Sequence, residues 1–122
     1  MAVSRFAQWT LDVHDVEKMA IFWSQALGYR IQLEDGGTNA HLIPPEDGPG
    51  ALTVWLQPTD APKAGKNRDH MDLVAEDGDV EAEVERLVGL GARRADVGQK
   101  GDEGFVVLAD PEGNEFCILY RR

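Results

Sequence analysis

Cysteine is nearly absent from this chain, with Cys117 alone among 122 residues. One cysteine cannot close an internal disulfide, which fits a reducing compartment. Basic residues are also scarce: 12 Lys and Arg against 22 Asp and Glu leave a formal net charge of −10. Such a surface repels phosphate backbones and anionic membranes, so neither nucleic acid nor a membrane is an expected partner. No apolar run approaches the roughly 20 residues of a membrane span. The opening MAVSRFAQWTLDV lacks the charged-then-apolar order of a signal peptide, so the expected compartment is the cytoplasm. A glycine-rich phosphate loop, a Ser/His/Asp arrangement and a CxxC motif are all missing.

What is present suits a single domain over residues 1–122, with an ordinary apolar fraction of 43%. Along residues 4–13, Ala7, Trp9, Leu11 and Val13 alternate with Gln8, Thr10 and Asp12, the period of a strand with one apolar face. Val16, Met19, Ala20, Trp23, Ala26 and Leu27 then recur at helical spacing. Asp15 is placed to cap that helix and Gly28 to end it. Three short strands are expected at 29–33, 39–43 and 51–57. Asp35-Gly36-Gly37 and the stretch 44–50 supply the turns between them.

The stretch TDAPKAGKNR at 59–68 has no apolar period and reads as a loop. Its basic cluster, Lys63 to Arg68, suits either a solvated linker or a closure over an anionic ligand. The same order of elements then starts again. HMDLVA at 70–75 alternates as a strand, and Val80, Val84, Leu87 and Val88 mark a helix capped by Asp79 and ended by Gly91. Strands are expected at 93–97, 104–108 and 115–120. Leu27-Gly28 recurs as Leu90-Gly91, and Asp15-Val16 as Asp79-Val80. The chain therefore reads β-α-β-β-β twice. The modules fall at about 1–58 and 68–122, with a linker at about 59–67. Neither module buries a helix and a sheet well alone, so an α+β fold joining both is expected.

Three segments carry a family resemblance: QWTLDVHDVEKMAIFWSQALGY, NRDHMDLV and LADPEGNEFCIL. On these the whole chain resembles the vicinal oxygen chelate superfamily, and within it the small glyoxalase-like proteins. The resemblance implies paired βαβββ modules forming a cupped mixed sheet, helices on the outer face, and a homodimer. It implies a small-molecule ligand in the cup. In metal-dependent members the first and last strands of each module supply ligands, and the metal polarises substrate oxygens.

The first-strand positions fall on Gln8 and His70, each a metal donor type. Gln8 also suits an open polar sheet face, and His70 a hydrogen-bonded structural role. The last strand of module one, ALTVWLQ, offers no acid, only Trp55 as a stacking wall or Gln57 as a neutral donor. The last strand of module two places Cys117 where the family commonly has glutamate. Glu115 precedes it by two residues and shares its face. Gln8, His70 and Cys117 are thus the candidate ligands for Zn, Ni, Fe or Mn, a thiolate favouring the softer metals. Cys117 equally suits a small buried apolar residue. One imidazole and one amide are weak compensation for a dehydrated dication. The donor balance therefore argues against a dedicated metal site and against glyoxalase I activity.

Two functions are expected from this set. One is lyase or isomerase chemistry on a small oxygenated metabolite. His70 and Glu115 would serve as acid–base groups, and Thr10, Trp55, Gln57 and Asp72 would contact substrate. The other is metal-free binding or sequestration of the bleomycin-resistance type. An extradiol dioxygenase would require a His, His, Glu set.

Overall fold

The computed structural model describes residues 3–46, 48, 50–96, 98–100 and 104–120. The chain forms two compact units, Met1–Ala61 and Pro62–Arg122. Each is a βαβββ module, the expected repeat.

In the first unit, β1 (Gln8–Val13), α1 (Val16–Leu27), β2 (Arg30–Glu34), β3 (Asn39–Ile43) and β4 (Thr53–Pro58) follow in order. The sheet order is β1-β4-β3-β2. β1 runs parallel to β4, and the other pairs are antiparallel. Helix α1 starts where the Asp15 carboxylate accepts from the Lys18 amide at 3.0 Å. It ends at Gly28, whose φ of 72° lies in the left-handed region that glycine tolerates. Its apolar stripe buries Met19, Ala20, Trp23 and Ala26, and also Phe22, which meets Trp23 edge to face at 5.0 Å. The stripe covers one sheet face, where Ala40, Leu42, Val54 and Leu56 are buried.

In the second unit, β5 (Met71–Val74), α2 (Val80–Leu90), β6 (Arg93–Arg94), β7 (Phe105–Ala109) and β8 (Glu115–Leu119) repeat the plan, with sheet order β5-β8-β7-β6. Asp79 caps α2 by accepting from the Ala82 amide at 3.1 Å. Val80, Val84 and Leu87 are buried as expected, but Val88 is exposed. The apolar stripe of α2 is narrower than the sequence suggests. Strand β6 has two residues where the sequence suggests five. Ala95 still donates to the Val107 carbonyl at 3.0 Å, and Val97 lies outside the described residues.

The turn before β8 is built on Asp110, which is fully buried. Its carboxylate accepts from the Glu112 amide at 3.0 Å and the Asn114 amide at 2.9 Å. Gly113, with φ of 91°, closes the turn. This geometry fixes the direction from which Glu115 and Cys117 enter the sheet.

The stretch 59–68 is irregular but tied down at both ends. Thr59 donates to the Val13 carbonyl at 2.8 Å, in the first unit. In the second, Asn67 Nδ2 donates to Asn114 Oδ1 at 3.1 Å. Among the described residues, no helix is long and apolar enough to cross a membrane.

Candidate functional site

Each sheet has one face under its helix and one open face, and strand alternation decides which side chains reach the open one. In the first unit these are Gln8, Thr10 and Asp12 of β1 and Thr53, Trp55 and Gln57 of β4. Register aligns Gln32, His41, Trp55 and Thr10 as one row across the four strands. The His41 and Trp55 rings lie 5.2 Å apart, tilted by 54°. His41 Nε2 is 2.8 Å from Thr53 Oγ1, which fixes the imidazole beside the half-buried indole. Gln57 Nε2 donates to Asp12 Oδ1 at 2.8 Å, and Gln8 Nε2 to Thr10 Oγ1 at 3.3 Å. The result is an aromatic floor with oriented amide, hydroxyl and carboxylate groups around it. Such a surface can stack a planar or apolar group and hydrogen-bond its oxygens.

His41 is not among the candidate site residues that the sequence points to. Its partners are Thr53 and Trp55, on the next strand. The alternation within NAHLI was the available signal, since it puts His41 on the face opposite the buried Ala40 and Leu42.

In the second unit the open face gathers His70, Asp72, Glu115 and Cys117. Asp72 and Cys117 are register partners in the parallel β5–β8 ladder. His70 Nε2 lies 3.2 Å from Asp72 Oδ1. One donor atom from each of His70, Asp72 and Cys117 lies within 4.8 Å of the others. Burial, then the charge and hydrogen bond of Asp72, push the Cys117 thiol up to about 11, against a smaller opposing pull from Lys66.

Glu115 is held differently. Its carboxylate pairs with Lys63 Nζ at 2.7 Å and accepts from the Asn67 amide at 2.9 Å. Desolvation alone would raise this carboxyl, but the lysine and the amide outweigh it and hold the group below the ordinary range. A carboxylate so engaged is a poor proton acceptor at neutral pH.

The sequence profile of the family described as "Glyoxalase-like domain" matches residues 8–119. The chain belongs to this glyoxalase-like family. Solved structures with the same fold include a glyoxalase/bleomycin resistance protein/dioxygenase family enzyme from Burkholderia phytofirmans. It is 16% identical, with 94% of this chain and 97% of that one covered and a TM-score of 0.72. The genomically encoded fosfomycin resistance protein FosX from Listeria monocytogenes gives 15% identity, 99% and 94% coverage and a TM-score of 0.76. A hypothetical protein from S. aureus gives 21% identity, 99% and 95% coverage and a TM-score of 0.70. Comparison with curated proteins finds no sequence match.

The four ligand positions implied by the glyoxalase-like resemblance do not carry a full donor set here. On β4 the nearest side chains are Trp55, which has no lone pair for a metal, and Gln57, a neutral amide already bonded to Asp12. On β8 the position holds a thiol. The neighbouring carboxylate is occupied by Lys63.

Proposed function

We propose that this glyoxalase-like chain binds a small oxygenated organic molecule on the open face of its first sheet. The tilted Trp55–His41 pair carries this reading. An indole left half-exposed on a sheet face, beside an imidazole fixed by Thr53, has apolar area to offer a ligand. Thr10, Gln57 and Asp12 stand next to it as hydrogen-bonding groups that would orient the ligand's oxygens. Binding or sequestration needs nothing further.

A second reading, a lyase or isomerase, is favoured by the His70, Asp72 and Cys117 donors. In that reading His70 is the acid–base group, and Glu115 supports the site by holding the segment that contains Lys63 and Asn67. A cytoplasmic homodimer belongs to the same proposal by family resemblance, and light scattering of the purified protein tests the assembly.

The binding reading is tested by a thermal-shift screen of small oxygenated compounds, with fosfomycin included because a structural neighbour confers resistance to it. A ligand present at about 100 times its Kd stabilises the protein by about 2.7 kcal/mol, a clear shift for a chain of this size. Hits should lose their effect in Trp55→Ala and weaken in His41→Ala. Hits that stabilise Trp55→Ala as well as the parent would overturn the assignment to this face.

A further inference from the structure

We infer that the second unit binds a small organic carboxylate at the Arg93 end of its open sheet face, with Arg93 as the group that receives the acid. The sequence leaves the basic cluster from Lys63 to Arg68 open between a solvated linker and a closure over an anion. The structure decides by bringing Lys63 of that cluster to Arg93, thirty residues along the same unit.

Strand register places Arg93. It stands opposite Ala109, and Ala109 stands opposite Glu115, so the three form one row on the face away from α2. Its neighbour Arg94 points the other way, and its guanidinium lies 3.9 Å from Glu81 of α2. The turn before Glu115 draws Arg93 and Lys63 together. A side-chain carbon placed on Gly113 would sit 3.5 Å from Arg93 Nη2 and 3.9 Å from Lys63 Cδ, so both basic side chains extend over this glycine.

Two cations in one neighbourhood are a local reversal in a chain of net charge −10. Glu115 offsets only one of them. Its carboxylate is shared between Lys63 Nζ at 2.7 Å and the Asn67 amide at 2.9 Å, which holds the segment 62–68 in place. Among the described residues Arg93 has no ion pair. Like charges repel, and an added anion relieves that repulsion. The planar fork of a guanidinium meets a carboxylate through two parallel hydrogen bonds, a match that a lysine cannot make.

The neighbouring side chains leave space for an organic acid and give it an apolar bed. Ala109, next to Arg93 in the row, projects only a methyl group. Val107 and Cys117 follow on the same face, both buried, and Asp72 stands opposite Cys117. An acid gripped by Arg93 would lay a short chain over Ala109 and Val107. The site lies in a different unit from the Trp55–His41 pair, and occupying it requires no turnover.

The test is an NMR titration of the full chain with pyruvate, with its neutral amide, pyruvamide, as the control. Pyruvate should shift the Arg93 Nε–H signal and the Gly113 amide saturably, with half-saturation near or below about 3 mM. Added salt should weaken it. Arg93→Gln should weaken binding about tenfold. Arg94→Gln, the adjoining position on the helix side, and Trp55→Ala should each stay within about twofold of the parent. No saturation by about 30 mM pyruvate, equal shifts with pyruvamide, or parent-like binding by Arg93→Gln would each overturn the inference. So would a loss in Trp55→Ala equal to that in Arg93→Gln, which would move the acid to the first sheet. The titration reads binding alone, so it stands or falls apart from the first-face ligand and from any reaction at His70.

Discussion

Asp72 and Cys117 face each other across the β5–β8 ladder, a carboxylate held against a buried thiol. The pair makes Cys117 a poor nucleophile, because both burial and the negative charge oppose the thiolate.

Cys117 should therefore alkylate slowly. With the thiol pushed up to about 11, the thiolate fraction at pH 8 is roughly one in a thousand. Iodoacetamide labelling followed by mass spectrometry should run about two orders of magnitude slower than for free cysteine and accelerate with pH through 10. Asp72→Asn removes the negative charge that opposes the thiolate, so it should label faster. Labelling at the free-cysteine rate in the parent would contradict the geometry.

The Lys63–Glu115 pair should make stability depend on acid. The folded carboxyl is held below its ordinary 4.5, so its contribution is complete above that value and disappears as pH falls through the folded one. Glu115→Gln should cost about 1 kcal/mol at pH 7, given the partial exposure of both partners. The difference from the parent should shrink between pH 7 and a strongly acid pH at which the folded carboxyl is protonated. Urea melts at the two pH values measure it, and a difference that persists in acid would assign the loss to packing instead.

Trp55 and Trp23 should separate function from stability. Trp23 is buried against Phe22, and Trp23→Ala should cost about 3–5 kcal/mol or prevent folding. Trp55 is half-buried on an open face, so Trp55→Ala should cost markedly less while abolishing ligand-induced thermal shifts. Equal destabilisation by the two changes would make Trp55 a core residue.

Asp110→Ala should be among the more damaging changes outside the apolar core. It strips the acceptor from two backbone amides at a fully buried position. Leaving them unsatisfied costs about 2–4 kcal/mol. Denaturant melts of Asp110→Ala and Asp110→Asn should rank Asn as the milder, since its amide oxygen can still accept. The reverse order would mean that the turn is held by its backbone alone.

The order of elements was legible because each rests on local signals. Asp15 and Asp79 cap the helices they precede, and Gly28 takes the left-handed residue at the end of α1. The alternation in QWTLDV sorts Gln8 and Thr10 from Trp9 and Leu11. Less was legible where a residue depends on a neighbouring strand. His41 gave no sign of its contact with Trp55. Lys63 reads as part of a linker, and its partner Glu115 lies far along the chain.

By itself the sequence determined the two βαβββ modules, their caps and turns, and which side chains share a face, because helix and strand periods and turn chemistry act over a few residues. Tertiary structure alone decided which of those side chains meet. Strand pairing set Asp72 against Cys117 and His41 against Trp55. The fold of the 59–68 segment drew Lys63 and Asn67 onto Glu115. Register and loop closure join residues distant in the chain, and no local pattern of polarity records them.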